Sequence, residues 1–309
     1  MRIVYMGSPE FAVAPLERLI QDGHEIAGVF TQRDKPKNRG MKLSFTPVKE
    51  AALAHGIPVF QPASFKKEEA LQTLEALQAD IAVVTAYGML LPQRALDAPR
   101  LGCVNVHASL LPDYRGASPI QQVILQGEEK TGVAIMQMDA GLDTGDILLA
   151  EELEIQSGET ADSLHDKLAA LGAETLSRCL KELEAGRVVP RPQPAECPHY
   201  APRICREDGR IHFTETAQRI DRAARGLTPW PGIFSSLGGK NIKLFGLRAE
   251  QGGPEAPCGQ ILSCDSRCLR VRCADGVVEI AQLQAPGGKR MNCADYFRGH
   301  PEEREGRFE

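Results

Sequence analysis

The chain lacks several patterns that would assign it to common functional classes. No run of 18 apolar residues occurs, which argues against a membrane-spanning helix. The fingerprint Gly-x-Gly-x-x-Gly is absent from the turn after the first predicted strand, where Gly7-Ser8-Pro9-Glu10 stands instead. Dinucleotide-binding enzymes use that fingerprint to bring backbone amides close to a pyrophosphate. Its absence therefore counts against a dinucleotide enzyme.

The cysteines form no recognisable framework. There are nine of them, an odd number, and no Cys-x-x-Cys pair occurs. Cys264, Cys268 and Cys273 are near one another, but their spacing does not favour a zinc site, and we expect no metal. Reduced thiols in a cytoplasmic protein are the simpler interpretation. A strand predicted at residues 3–6 leaves no room for a signal or transit peptide, which agrees with that location.

Charge is distributed unevenly along the chain, whose net charge is −5. Residues 31–49 contain six basic residues and one acidic residue, Asp34, while residues 187–250 contain eleven basic and six acidic residues. Two basic islands on an acidic body are typical of a focused site for a polyanion. A pair of solvated charged faces is the alternative interpretation.

Short apolar segments alternate with helical segments in the N-terminal half. Such an alternation predicts a Rossmann-like, doubly wound parallel sheet of the α/β class. Ser8 and Pro9 are predicted to begin the first helix, which Gly23 would end. The predicted strands lie at residues 3–6, 26–30, 57–60 and 81–86.

The C-terminal half has a different sequence pattern. Four prolines among residues 189–198 predict an extended, semi-stiff connector. From about residue 211, short strands broken by Gly and Asp follow one short helix, which indicates a small barrel or a sandwich. We therefore expect a catalytic domain at 1–189, a basic Pro-rich linker at 190–206 and a C-terminal domain at 207–309.

Three polar side chains are candidates for one reaction centre. Asn105 and His107 are two residues apart in a predicted strand and so point to the same face. Asp143 follows in a Gly-rich turn from which its carboxylate could reach the imidazole. An amide donor, a titratable ring and an orienting carboxylate suit acyl-type transfer through a tetrahedral intermediate.

The sequence around these residues resembles the 10-formyltetrahydrofolate-dependent formyltransferases. Residues 105–116 match the pattern Asn-x-His-x-Ser-Leu-Leu-Pro-x-Tyr-Arg-Gly, and Gly-Leu-Asp-Thr-Gly follows at 141–145. The resemblance implies that 10-formyltetrahydrofolate is the donor, that Asn105, His107 and Asp143 are catalytic, and that the C-terminal barrel is OB-like. It also implies a folate-binding stretch at Ser109, Leu110, Leu111 and Pro112. A second wall of the folate slot is expected at Tyr87, Gly88, Met89 and Leu90, although ordinary core is nearly as good an interpretation there.

Residues of the two basic islands indicate which molecule accepts the formyl group. Asn38-Arg39-Gly40 resembles an element of the family's insertion loop, and the stretch 200–204 resembles the start of its second domain. The resemblance implies that the acceptor is the α-amino group of methionine on initiator tRNA. We also expect a monomer. Residues expected to contact the tRNA are Lys37, Arg39, Lys42, Arg203 and Arg206. A formyltransferase for a small amine, such as glycinamide ribonucleotide or an amino sugar, remains the alternative. A nucleic-acid-binding protein with a catalytically silent domain is a third hypothesis, which the intact triad opposes.

Overall fold

A computed structural model describes residues 1–37 and 42–309, with side chains described outside 36–43. Its strands are β1 (Arg2–Gly7), β2 (Glu25–Phe30), β3 (Lys35–Lys37), β4 (Lys42–Ser44), β5 (Val59–Phe60), β6 (Ile81–Thr85), β7 (Cys103–His107), β8 (Arg115–Gly116), β9 (Lys130–Gln137), β10 (Ile147–Glu154), β11 (Tyr200–Ala201), β12 (Ile233–Leu237), β13 (Lys240–Gln251), β14 (Ile261–Cys264), β15 (Leu269–Arg272), β16 (Gly276–Gln284) and β17 (Met291–Asn292). Its α-helices are α1 (Val13–Gln21), α2 (Pro47–Ala54), α3 (Glu68–Ala76), α4 (Gln93–Asp97), α5 (Pro119–Gln126), α6 (Ala161–Glu184), α7 (Ala217–Gly226) and α8 (Cys293–Gly299).

The chain divides into two compact units. The first comprises Met1–Pro119, Lys130–Glu154 and His165–Ala201. The second comprises Ile120–Glu129, Ile155–Leu164 and Pro202–Glu309. Each unit therefore combines segments that are distant in sequence.

A seven-stranded sheet forms the centre of the first unit, in the order β10-β9-β7-β6-β1-β2-β5. The strands from β7 to β5 run parallel, as the alternation of apolar and helical segments predicts. Residues 3–6 of β1 are fully buried, which fits a central strand covered on both faces. Strands β9 and β10 add an antiparallel edge beside β7. The Rossmann-like sheet is thus confirmed.

The first helix begins later than the sequence predicts. A 3₁₀ turn at Glu10–Ala12 precedes α1, and the side chain of Ser8 caps neither of them. Its Oγ instead accepts a hydrogen bond from the backbone N–H of Gln32 at 3.1 Å and donates to the carbonyl of Tyr87. The prediction that Ser8 caps the helix was wrong, because this hydroxyl joins two neighbouring strand ends.

The Pro-rich segment expected to start the linker belongs to the first unit as far as Ala201. Arg191 forms a bridge with Ile147, and β11 pairs in parallel with β8. The backbone of this segment is therefore hydrogen-bonded to other parts of the first unit.

An antiparallel sheet forms the centre of the second unit, in the order β12-β13-β16-β15-β14, with β17 on β16. Helix α7 is capped by Thr216, whose hydroxyl accepts from the N–H of Arg219. The sequence predicts an OB-like barrel here, but the two edge strands of the described sheet, β12 and β14, do not pair, so the barrel is not closed. Isolated bridges from Arg307 to Gln260 and from Phe308 to Leu237 link its two edges instead.

Two kinds of feature do not occur in the described part of the chain. None of its helices is both long and apolar enough to cross a membrane. Within residues 1–37 and 42–309, no group of three or more His, Cys, Asp or Glu side chains is arranged to hold a metal ion.

Candidate active site

Strand β7 positions the first two candidate residues. Asn105 lies opposite Val84 of β6 and Met136 of β9, and His107 lies opposite Ala134. Val104 and Val106 alternate with them along β7 and therefore point to the opposite face, where they are buried in the core at 0 and 3 % exposure. His107 is itself buried, whereas Asn105 is half-buried. An amide and an imidazole thus share one face of the strand.

Asp143 reaches this face from the loop between β9 and β10. Its Oδ1 accepts a hydrogen bond from Asn105 Nδ2 at 3.4 Å, and its Oδ2 accepts one from the backbone N–H of Gly116 at 2.9 Å. The same Oδ2 lies 3.8 Å from His107 Nδ1, which is an ion-pair distance when the ring is protonated. The structure therefore brings together the three residues that the sequence proposes as catalytic.

The loop that carries Asp143 is folded on its own side chains. Asp139 accepts hydrogen bonds from Thr144 Oγ1 at 2.8 Å and from the N–H of Gly141 at 3.0 Å. Asp143 has φ +54°, in the left-handed region that L-residues rarely adopt. Asp tolerates this region better than most residues because its short polar side chain can bond locally. The carboxylate is thus presented by a tight, internally braced turn.

The imidazole of His107 is fixed at one nitrogen. Its Nε2 lies 3.0 Å from the carbonyl oxygen of Tyr114, which can only accept, so Nε2 carries a proton. Nδ1 is then the nitrogen that can gain or lose a proton, and it faces Asp143. A backbone carbonyl thereby sets the tautomer of the ring.

The stretch expected to bind folate contributes mainly to the interior. Ser109 is fully buried and donates to the carbonyl of Asp113 at 2.7 Å. Leu111 packs in a small cluster with Ala134, Met136 and Ile147. Leu110 and Pro112 are half-buried. The side chains of Ser109 and Leu111 thus brace the turn after β7.

The second expected wall is divided between core and surface. Tyr87 is 2 % exposed, and burial raises the pKa of its hydroxyl, which has no hydrogen-bond partner among the described residues. Gly88 has φ +71°, Met89 packs against the same cluster as Tyr87, and Leu90 is 88 % exposed. Half-buried Met138 packs against this cluster and also against that of Leu111. The sequence did not single out Met138, although it lies between the two expected walls.

Within the basic island at 31–49, strands β3 and β4 pair antiparallel, with the backbone of Lys37 opposite that of Lys42; we call this pair the basic hairpin. Arg39 lies outside the described residues, and the side chains of Lys37 and Lys42 do as well. Lys49 forms an ion pair with Asp34 at 2.5 Å, so the single acidic residue of the island neutralises a helix residue rather than the hairpin.

Two further arginines of the tRNA prediction belong to the second unit. The side chains of Arg203 and Arg206 are exposed and form no ion pair or hydrogen bond within the described residues. Both guanidinium groups are therefore accessible to phosphate, which Arg binds with good geometry.

Cys103 is the cysteine closest in sequence to the three candidate residues. Cys103 begins β7 and is fully buried, and desolvation by burial raises the pKa of its thiol to about 12. A thiol of that pKa is neutral at physiological pH and is a poor nucleophile. The geometry supports direct transfer rather than a covalent intermediate on this cysteine.

Comparisons with known proteins identify the family of the chain. The formyl transferase family matches residues 1–180, and the formyl transferase C-terminal domain matches residues 203–301. The chain is 47 % identical to methionyl-tRNA formyltransferase of Chromobacterium violaceum and 46 % identical to that of Caldanaerobacter subterraneus. These alignments cover 97 % of this chain and 96 and 97 % of those proteins.

A solved structure shows the same fold. The N-formyltransferase from Helicobacter canadensis, in complex with folinic acid and dTDP-3-aminofucose, superposes with a TM-score of 0.68 at 17 % identity, covering 94 % of this chain and 100 % of that one. Both domain families match in their normal order, and the curated relatives match from end to end. The chain therefore belongs to the methionyl-tRNA formyltransferase family.

Proposed function

We propose that the protein transfers the formyl group of 10-formyltetrahydrofolate to the α-amino group of methionine esterified to initiator tRNA. The observation that carries the choice of substrates is the 47 % identity to a curated methionyl-tRNA formyltransferase over 97 % of the chain. The meeting of Asn105, His107 and Asp143 at the end of β7 supports the chemistry.

The reaction joins the methionine nitrogen to the formyl carbon and breaks the bond between that carbon and N10 of the folate. The proton lost by the methionine nitrogen ends on N10, so the exchange is redox-neutral. Attack on the formyl carbon gives a tetrahedral intermediate whose oxygen is negatively charged. A group that stabilises this oxyanion and a group that moves the proton are therefore needed.

Asn105 suits the first role. Its amide carries two N–H donors, and only one of them is directed at Asp143 Oδ1. The second can donate to the oxyanion. Loss of one donor of this kind costs on the order of 3 kcal/mol of barrier.

His107 and Asp143 suit the second role. Since Nε2 of His107 donates to the carbonyl of Tyr114, Nδ1 is the nitrogen that would take the proton from the methionine nitrogen, which attacks as a neutral amine and becomes positively charged as the new bond forms. The Asp143 carboxylate lies 3.8 Å from Nδ1, which is an ion-pair distance once the buried ring has taken this proton. All three groups come from one chain, so one copy of the protein can supply the whole reaction centre, and we propose that the enzyme works as a monomer. Its tRNA substrate supports a cytoplasmic location.

Two exposed basic residues beside the basic hairpin support a polyanionic acceptor. A cavity of ≈ 430 Å³ lies at its base and is lined by Arg33 and Lys35 among others. Both side chains are exposed, and neither forms an ion pair within the described residues. We propose that Arg39, Lys37 and Lys42 contact the tRNA, and that Arg203 and Arg206 of the second unit contact it as well.

A competition assay tests the function. Purified protein is incubated with formyl-labelled 10-formyltetrahydrofolate and with methionyl initiator tRNA, methionyl elongator tRNA or glycinamide ribonucleotide. We expect transfer to the initiator tRNA at the highest kcat/KM and a loss of transfer in the Asn105→Ala protein. A higher kcat/KM for the small amine would refute the proposal.

A further inference from the structure

A buried arginine and a glutamine of the Pro-rich segment meet behind the Asp143 loop. Arg115 is only 4 % exposed. Its Nε and Nη2 donate to Oε1 of Gln193 at 3.1 and 2.9 Å. Nη2 also donates to the carbonyl of Pro194 at 2.8 Å, and Nη1 donates to that of Ala195 at 3.4 Å. Four bonds to uncharged oxygens fix this guanidinium in place.

Gln193 then reaches into the loop. Its Nε2 donates to the carbonyl of Asp143 at 3.0 Å and to that of Gly145 at 2.6 Å. The orientation of the amide is determined by its surroundings, because a flipped amide would place its NH₂ against the guanidinium and its oxygen against two carbonyls. Arg115 therefore dictates that Gln193 presents donors to the loop.

Asp143 needs such support. A non-glycine residue at φ +54° has a strained backbone, which persists only where its surroundings hold it. Gln193 holds the carbonyl of Asp143, while the N–H of Gly116 holds its carboxylate at 2.9 Å. Gly116 directly follows Arg115, so residues 115–116 hold Asp143 directly through the Gly116 N–H and indirectly through the Gln193 that Arg115 orients.

We propose that Arg115 and Gln193 are positioning residues for the formyl transfer: they clamp the 143–145 turn so that the Asp143 carboxylate stays at Asn105 and His107. Neither residue touches the reacting atoms in this role. The inference rests on the function proposed above, and it assigns to the Pro-rich segment a part in the active site. A merely structural role would hold residues 193–195 against β8 without affecting the rate of the chemical step.

Gln193→Glu separates these two roles. The carboxylate keeps an oxygen towards Arg115 and makes that contact stronger because it becomes charge-assisted. Its other oxygen faces the carbonyls of Asp143 and Gly145 without a proton to donate, so only the clamp is lost. We expect kcat to fall on the order of 10- to 100-fold, as for a catalytic group misplaced by up to 1 Å. KM for both substrates should change less than threefold, and Tm should not fall by more than a few degrees.

A matched control removes a different buried hydrogen bond in the same unit. Ser177 is fully buried and donates to Asp22, between α6 and the end of α1. Ser177→Ala should lower Tm and leave kcat unchanged. A fall of kcat in both variants would attribute the effect to general destabilisation and would overturn the clamp.

A double substitution tests whether Gln193 acts through Asp143. In the Asp143→Ala background, Gln193→Glu should cause no further loss of kcat, because the group that it positions is gone. The proposal would be overturned if the loss of kcat in the double variant equalled the product of the two single losses, or if the Gln193→Glu enzyme had the wild-type kcat.

Hydrogen exchange provides a readout that does not depend on the substrate. Amides of residues 139–146 should exchange faster in Gln193→Glu than in the wild type, and equal exchange would refute the clamp. If the wild-type protein formylates no methionyl-tRNA, the proposed function fails, while this exchange measurement still decides whether the clamp exists.

Discussion

Replacing Gly145 by alanine tests how closely the 139–146 loop must hold Asp143. A Cβ on Gly145 would lie 1.8 Å from the carbonyl oxygen of Gln137, where real Cβ atoms essentially never come within 3.0 Å. The two backbones would therefore have to separate by about 1.2 Å. Asp143, two residues away, would move with the loop.

The magnitude follows from that displacement. A misplacement of 1 Å in a reacting constellation can cost on the order of 100-fold in rate, which corresponds to about 2.7 kcal/mol of barrier. Overpacking of this kind costs about 1–3 kcal/mol of stability, less than the roughly 5–15 kcal/mol that a folded protein commonly has. We expect the Gly145→Ala protein to fold, with a lower Tm and a kcat reduced about 100-fold.

Single-turnover formylation of methionyl initiator tRNA measures the effect without a contribution from product release. Gly186→Ala is the control, because Gly186 has φ +66° but no atom within 4 Å of an added Cβ. That variant should lose on the order of 1 kcal/mol of stability from backbone strain and keep its rate. If Gly145→Ala retained a rate within threefold of the wild type, the placement of the loop would not control the reaction.

Three further predictions concern single residues. His107→Ala should lower kcat by about 10²–10⁴-fold while folate still binds, as measured by fluorescence titration; near-normal turnover would refute the proton-transfer role. Arg39→Ala should weaken binding of methionyl-tRNA and reduce its salt dependence without changing folate affinity; equal loss of both would indicate misfolding. Burial alone would raise the pKa of Asp22, but hydrogen bonds from Ser177 and Arg18 outweigh it and lower that pKa. The stabilisation is therefore complete above the ordinary aspartate pKa of about 4 and is lost as pH falls towards the lower native value. The stability difference between wild type and Ser177→Ala in urea should accordingly shrink from pH 7 to pH 3, and a constant difference would refute this linkage.

Features with a local cause could be predicted from the sequence. Continuous apolar segments predicted the parallel strands, because strands that are buried on both faces need no polar positions. The period of two along β7 placed Asn105 and His107 on one face. A Gly-rich turn allowed Asp143 to approach them, and the structure shows contacts at 3.4 and 3.8 Å.

Features that depend on distant partners could not be predicted. Ser8 has the local pattern of a helix cap, but its hydroxyl bonds to Gln32 and Tyr87, which are distant in sequence. The composition of the apolar stretches at 87–91 and 109–112 does not tell whether they line a ligand slot or fill a core. The structure shows that even one stretch is divided, because Tyr87 is in the core and Leu90 is at the surface. The roles of these stretches in folate binding stay predictions.

The Pro-rich segment shows how one composition can have two consequences. Proline has no N–H and cannot sustain a ladder of strand hydrogen bonds, so such a segment is predicted to be an extended connector. The same property leaves its carbonyl oxygens free, and the buried guanidinium of Arg115 uses those of Pro194 and Ala195. Arg115 and Gln193 are 78 residues apart, so no local pattern in the sequence connects them. A segment that looks like a linker thus contributes acceptors to a buried arginine and, through Gln193, two donors to the loop that carries Asp143.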